Sequence, residues 1–264
     1  MLPTLAQAGF WGLLAGSALV LGAAVAFFTH LPHRVIAAVT GFGAGVLIAV
    51  LSVELLVEAQ ERGGVPATMA GFLGGAVVFS TANWGLARYG ARNRKRCGEC
   101  AQQPSEADQG GSGLAIALGA LLDGIPESIV IGLSVLGGGG VSVVAVVGFF
   151  LANIPQGLAG AAGMQQAGRS ARYVFGVWGG IALLSGIAAL IGHAAFGGFA
   201  PEVIAATIAV AAGGILAMLA ETMVPEAFAD APAFIGLITV CGFLAAFAPS
   251  EGRRVASWRG ALAD

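Results

Sequence analysis

The chain has 264 residues, 57% of them hydrophobic and only 10% charged, against about 25% charged in ordinary soluble domains. Twelve basic and fourteen acidic residues leave a net charge of -2, so no overall field draws the chain to nucleic acid or to anionic substrates. A mean hydropathy of +0.88 excludes a water-soluble domain, and the roughly 150 apolar residues suffice for seven or eight helical crossings of a bilayer core about 30 Å thick.

Hydropathy and punctuation predict an all-α polytopic membrane protein with eight transmembrane helices. In chain order they are Ala8 to Phe28, Val35 to Ala59, Val65 to Leu86, Leu114 to Leu136, Val141 to Gln165, Tyr173 to Phe196, Val203 to Phe228 and Ala231 to Ala248. Breakers separate them, among them the Thr29 to Arg34 turn, Glu61 to Gly64, Gly137 to Gly140 and the corner at Asp230. Residues 88–113 read RYGARNRKRCGECAQQPSEADQGGSG, a basic block followed by an acidic, Gly/Ser-rich tract too polar to fold alone, and are expected to be a cytosolic linker. The expected organisation is spans 1–3 in residues 1–87, this linker, spans 4–5 in 114–168, spans 6–8 in 169–250, and a tail over 251–264. Met1 to Ala8 lacks the basic segment of a cleavable signal peptide. Forty-three glycines suit closely packed membrane helices, and three cysteines cannot form a disulfide framework.

Basic residues set the expected orientation. With the N-terminus outside, inner loops carry Arg34, Arg88, Arg92, Arg94, Lys95, Arg96, Arg169 and Arg172, eight in all; outer segments carry four, Arg62, Arg253, Arg254 and Arg259. An integral protein of the plasma membrane with both termini outside is expected. Two internal similarities accompany this order. AGVLIAVLSVELLVEA, ending at Ala59, resembles AGGILAMLAETMVPEA, ending at Ala227, at an offset of 168 residues, and DGIPES in span 4 resembles ANIPQG in span 5. In an eight-span chain each pair runs in opposite directions, which makes them inverted repeats of the kind found in secondary transporters.

Six acids fall within or at the ends of spans: Glu54, Glu58, Asp123, Glu127, Glu221 and Glu226. A carboxylate at the bilayer centre costs on the order of 3 kcal/mol, so deep ones mark function. Asp123 and Glu127 lie nine and thirteen residues into span 4, one turn apart on one helical face. Pro126 beside them releases the carbonyl of Leu122 from the helical ladder, and Pro155 in span 5 does the same for Leu151. Asn153 and Gln156 flank Pro155 at i,i+3 with amide oxygens on one face. If spans 4 and 5 face each other, Asp123, Glu127, Asn153 and Gln156 form an oxygen-rich set suited to one divalent cation. Glu54 and Glu221 are candidates for an entry or exit path. Cys97 and Cys100 are half of a tetrahedral zinc site at most. His30 and His33 belong to a solvated loop, and His193 to helix packing.

The Ile-Pro-centred motifs, eight spans and long inner loop resemble the ZIP (ZRT/IRT-like) family of divalent metal transporters, prokaryotic branch, over essentially the whole chain. Relatives carry an H-N-x-P-E-G type motif in span 4, where this chain has Asp123, Gly124, Ile125, Pro126, Glu127 and Ser128. In span 5 the family pattern ends I-P-E-G, and here Ile154, Pro155, Gln156 and Gly157 place a neutral amide at the glutamate position. Span 6 of relatives often reads S-G-L-A-E-P, against Ser185 to Leu190 with Ala189 at the acidic position. The resemblance implies transport of Zn²⁺, Fe²⁺ or Mn²⁺ toward the cytosol, elevator-like motion of the bundle holding spans 4 and 5, and a two-metal centre, here reduced to one ion by charge. Hard oxygen ligands tilt the preference away from zinc toward Fe²⁺ or Mn²⁺. No enzyme activity and no prosthetic group are expected. The partners implied are the metal ions and the lipid bilayer, with no nucleic acid and with a homodimer as the open oligomeric alternative. The rival reading is a transport-inactive homologue that acts as metal sensor or scaffold.

Overall fold

The computed structural model describes residues 3–29, 31–88, 112–137, 141–230 and 233–261. The linker over 89–111 with Cys97 and Cys100, together with His30 and Asp264, lies outside the described residues. All regular structure among the described residues is helical. Helix α1 covers Thr4–Phe28 and α2 His33–Val50; a π-turn at Leu51–Leu55 then leads into α3, Leu56–Ala87. Beyond the linker come α4 (Ser112–Ser134), α5 (Val143–Gln166), α6 (Ala171–Phe196) and α7 (Pro201–Met218). A second π-turn, Leu219–Met223, joins α7 to α8 (Val224–Asp230), and α9 runs Ile235–Ala261. Five helical segments are long and apolar enough to cross a membrane: Thr4–Phe28, His33–Ala87, Val143–Gln166, Ala171–Phe196 and Pro201–Ala229.

Local chemistry explains most boundaries. Ser142 and Ser170 cap α5 and α6 by accepting hydrogen bonds from the amides of Ala145 and Tyr173 at 3.2 and 3.3 Å. Pro201 opens α7, where its missing N–H costs nothing. Inside α3, Gly64 has φ 72° and ψ 169°, a backbone conformation open essentially to glycine alone. Residues 33–63 and 65–87 are therefore two rods, as the Glu61 to Gly64 punctuation predicts. Two expectations shift. His33 is the first residue of α2 instead of a loop residue, because Pro32 ahead of it supplies the break. The segment after Ser250, expected as a tail, continues α9 as far as Ala261.

Contacts between helices fix their directions. Asn153 bonds to Ala15 and Gln165 to Phe27, at one constant offset, so α1 and α5 run parallel. Gly9, Gly12 and Gly16 meet Leu190, Ala189 and Ala182 in descending order, so α1 and α6 are antiparallel. Helix α4 runs parallel to α6, with Gly124 near Ser185 and Leu136 near Gly197. Gly43 faces Pro155 and Val50 faces Gly148, which makes residues 33–63 antiparallel to α5; Gly41 and Gly45 face Ile235 and Thr239, which makes them parallel to α9. Residues 65–87 run parallel to α7, Phe72 abutting Gly213 and Ser80 bonding Glu221. Ala37 clusters with Ala227, while the first π-turn touches α7, so 33–63 opposes 201–230.

Small side chains line many of the helix contacts, beside buried large ones such as Leu47, Phe149, Ile208 and Met218, while further large apolar side chains face outward. Ala15, Ala44, Ala145, Ala152, Ala209 and Ala212 are buried, whereas Leu73, Val77, Leu183 and Ile191 are exposed. In lipid the hydrophobic effect does not draw large apolar groups inward, and close backbone approach through small residues supplies the packing.

Candidate functional site

Around Ala15 and Gly16 of α1 the structure brings together Asn153 of α5 and Ser185 of α6, with Gly124 of α4, the neighbour of Asp123, beside Ser185; Gln156 lies about a turn further along α1, beside Leu19. Asp123 and Glu127 of α4 are 1% and 2% exposed, and Asn153 and Gln156 of α5 are 5% and 4% exposed. Asn153 Nδ2 donates to the carbonyl oxygen of Ala15 at 3.1 Å, which pins the amide plane against α1. Its Oδ1 is buried with no donor among the described residues, as is Gln156 Nε2 without an acceptor. Half a turn of the Gln156 amide exchanges its nitrogen and oxygen, so both residues can present an oxygen.

Helix α6 adds a further polar group. Ser185, 6% exposed, lies where α1 and α4 come together: a Cβ on Gly16 would stand 2.9 Å from its Cβ, and one on Gly124 would stand 3.9 Å from its Oγ. Ser128 donates its Oγ to the Gly124 carbonyl at 2.8 Å, closing the turn between the two carboxylates. Ser185 and Ser128 were visible in the sequence only as letters of a motif; their polarity within an apolar span was the available signal.

Chemically these residues offer two carboxylates, two amides and the buried hydroxyls of Ser128 and Ser185, all with hard oxygens. Among the described residues no three His, Cys, Asp or Glu side chains gather as a metal-binding group. Any divalent ion here must therefore draw on neutral oxygens beside Asp123 and Glu127. Ala189 is fully buried. A Cβ on Gly12 would come 2.5 Å from the Ala189 Cβ, and Gly132 abuts its carbonyl. Ala189 is thus part of a packing seam of α1, α4 and α6.

The remaining candidates are dispersed. Glu54 and Glu221 sit inside the two π-turns instead of near helix ends. Glu54 accepts from Ser142 Oγ at 3.2 Å; Glu221 accepts from Ser80 Oγ and from Asn83 Nδ2, the latter at 2.8 Å. Glu58 pairs with Arg62 at 2.9 Å, and Glu226 is buried. His193 Nε2 meets Thr4 Oγ1 at 3.2 Å, tying α6 to the start of α1.

A scan against protein-family models gives no match to this chain, and a search of curated proteins gives none either.

Proposed function

We propose that the chain is an eight-span ZIP-like transporter of divalent metal ions, Zn²⁺, Fe²⁺ or Mn²⁺, carrying them toward the cytosol by alternating exposure of the Asp123/Glu127 pair. The observation that carries this reading is the burial of both carboxylates, one turn apart, in the part of the helix bundle where Asn153 keeps an unsatisfied oxygen. Soluble-type packing offers no reason to bury two acids together in an apolar helix. In this reading Asp123 and Glu127 balance the cation's charge, and Asn153, Gln156 and Ser185 replace part of its hydration shell.

Eight spans are supported by the break at Gly64, which divides the 55-residue His33–Ala87 segment, and by α4 and α9, of 23 and 27 residues. The helix directions alternate from rod to rod along the chain. An inverted repeat is supported by the exchange of packing partners. Mapping α1 to α6, 33–63 to 201–230, 65–87 to α9 and α5 to α4 turns the parallel pair α1/α5 into α6/α4. It likewise turns 33–63/α9 into 201–230/65–87, again a parallel pair. The π-turns begin at Leu51 and Leu219, separated by the same 168 residues as the matching sequence segments. Gly45 and Gly213, related by that offset, each lie against a carbonyl of the parallel partner, Thr239 and Phe72.

A transport-inactive, metal-sensing homologue is the second reading, favoured by the neutral Gln156 and by the packing of Ala189 at a position acidic in the family. Uptake into proteoliposomes, with Zn²⁺, Fe²⁺ and Mn²⁺ compared, separates the two. Transport by the wild type and its loss in Asp123→Asn and Glu127→Gln are expected. Near-normal uptake in both variants overturns the site, and binding without uptake of any of the three ions selects the second reading.

A further inference from the structure

A second polar cavity lies away from the buried carboxylates, between the end of α3 and the second π-turn. It measures about 810 Å³ and is lined by Ser80, Asn83, Trp84, Arg88, Glu221 and Thr222, a size typical of small-molecule sites. Opposite charges share this space without meeting. The Glu221 carboxylate is held by donation from Ser80 Oγ and Asn83 Nδ2, which leaves it further acceptor positions. Arg88 lays its guanidinium over the Trp84 ring, 3.6 Å from the centroid, and makes no ion pair among the described residues. A guanidinium stacked by its face keeps its N–H edge available for a phosphate.

Depth identifies the partner. Residues 65–87 span about 34 Å at 1.5 Å per residue, slightly more than the hydrocarbon core, so Trp84 and Arg88 fall at headgroup level. Trp84 is 62% exposed, as an interfacial anchor requires. We propose that this cavity binds the headgroup of a phospholipid bearing a primary ammonium, its phosphate at Arg88 and its ammonium at Glu221. A choline headgroup has no N–H to give Glu221, and one face of Trp84 that could receive it by a cation–π contact is already taken by Arg88. A wholly anionic headgroup meets the Glu221 carboxylate. A bare divalent cation meets the positive charge of Arg88 and the amide nitrogen, not the oxygen, of Asn83 beside Glu221.

The test uses the full chain in bilayer nanodiscs holding equal parts of phosphatidylethanolamine, phosphatidylcholine and phosphatidylglycerol, with retained lipid read by native mass spectrometry. Wild type should retain the ethanolamine lipid over the choline lipid by about fivefold, the scale of one partly exposed charge pair. Glu221→Gln should bring that ratio to about one, whereas Arg88→Gln should lower retention of all three lipids. Equal retention of ethanolamine and choline lipids by wild type, an unchanged ratio in Glu221→Gln, or preference for phosphatidylglycerol overturns the proposal. Binding of soluble O-phosphoethanolamine with no lipid retained assigns the cavity to a free phosphomonoester and overturns it equally. Arg88→Gln, at the exposed helix end, keeps the test decisive should Glu221→Gln fail to fold. None of these readouts depends on metal transport.

Discussion

Replacing Glu127 by glutamine removes one buried charge with almost no change in volume, and the metal-free and metal-loaded protein should respond in opposite directions. Asp123 and Glu127 are 1% and 2% exposed, with Cβ atoms about 6 Å apart at i,i+4. At an effective dielectric constant near 20, two charges at that separation repel by about 3 kcal/mol as a ceiling. The amide keeps an acceptor oxygen for whatever donates to Glu127 and removes this repulsion, so the metal-free variant should gain about 1–3 kcal/mol. For a chain of this size that corresponds to a rise of roughly 2–4 °C in Tm per kcal/mol. With a dication bound, loss of one of two balancing carboxylates leaves a buried charge uncompensated, at about 3–5 kcal/mol. Metal affinity should therefore fall by at least about a hundredfold. Thermal unfolding of the purified protein, followed by intrinsic fluorescence with and without Mn²⁺, reads both effects at once. Wild type should be stabilised by metal, whereas Glu127→Gln should melt higher without metal and respond little to it. A variant that melts lower without metal and keeps the full metal-induced rise would show that Glu127 is a structural acid, and the charge argument would fail.

Gln156→Glu should strengthen metal binding by adding a third carboxylate in the buried polar region of α4 and α5, measured by calorimetry, while Ala189→Glu should lower Tm by overpacking worth at least about 1–3 kcal/mol, since Gly12 and Gly132 close on Ala189. Gly64→Ala should destabilise by about 1–3 kcal/mol in thermal melts, because φ 72° with ψ 169° strains any residue with a Cβ. Impermeant thiol labelling should reach Cys97 only from the cytosolic side and Asp264→Cys only from outside, following the distribution of basic residues; the reverse pattern inverts the inferred direction of transport.

Much of the architecture was legible in one dimension because a bilayer-length apolar run and its breakers are local properties. Pro32, Ser142, Ser170 and Pro201 mark helix starts by their own chemistry, and Gly64 breaks the longest helical segment where the sequence punctuation predicts. The i,i+4 spacing of Asp123 and Glu127 likewise put two acids on one helical face before any neighbour was known. Hydropathy could not tell the lipid-facing side of a helix from its packed side, since both are apolar. Only the tertiary contacts decided that Ala189 is a seam instead of a ligand position and that Ser185 stands beside Gly124. They also decided that Asn153 spends its amide N–H on Ala15 and keeps its oxygen free. The 168-residue offset was readable in letters, but not that each copy carries a π-turn aiming a glutamate at a neighbouring helix, Glu54 at Ser142 and Glu221 at Ser80. Such placements depend on which small-residue surfaces allow two backbones to approach, a property of pairs of helices that no single segment contains.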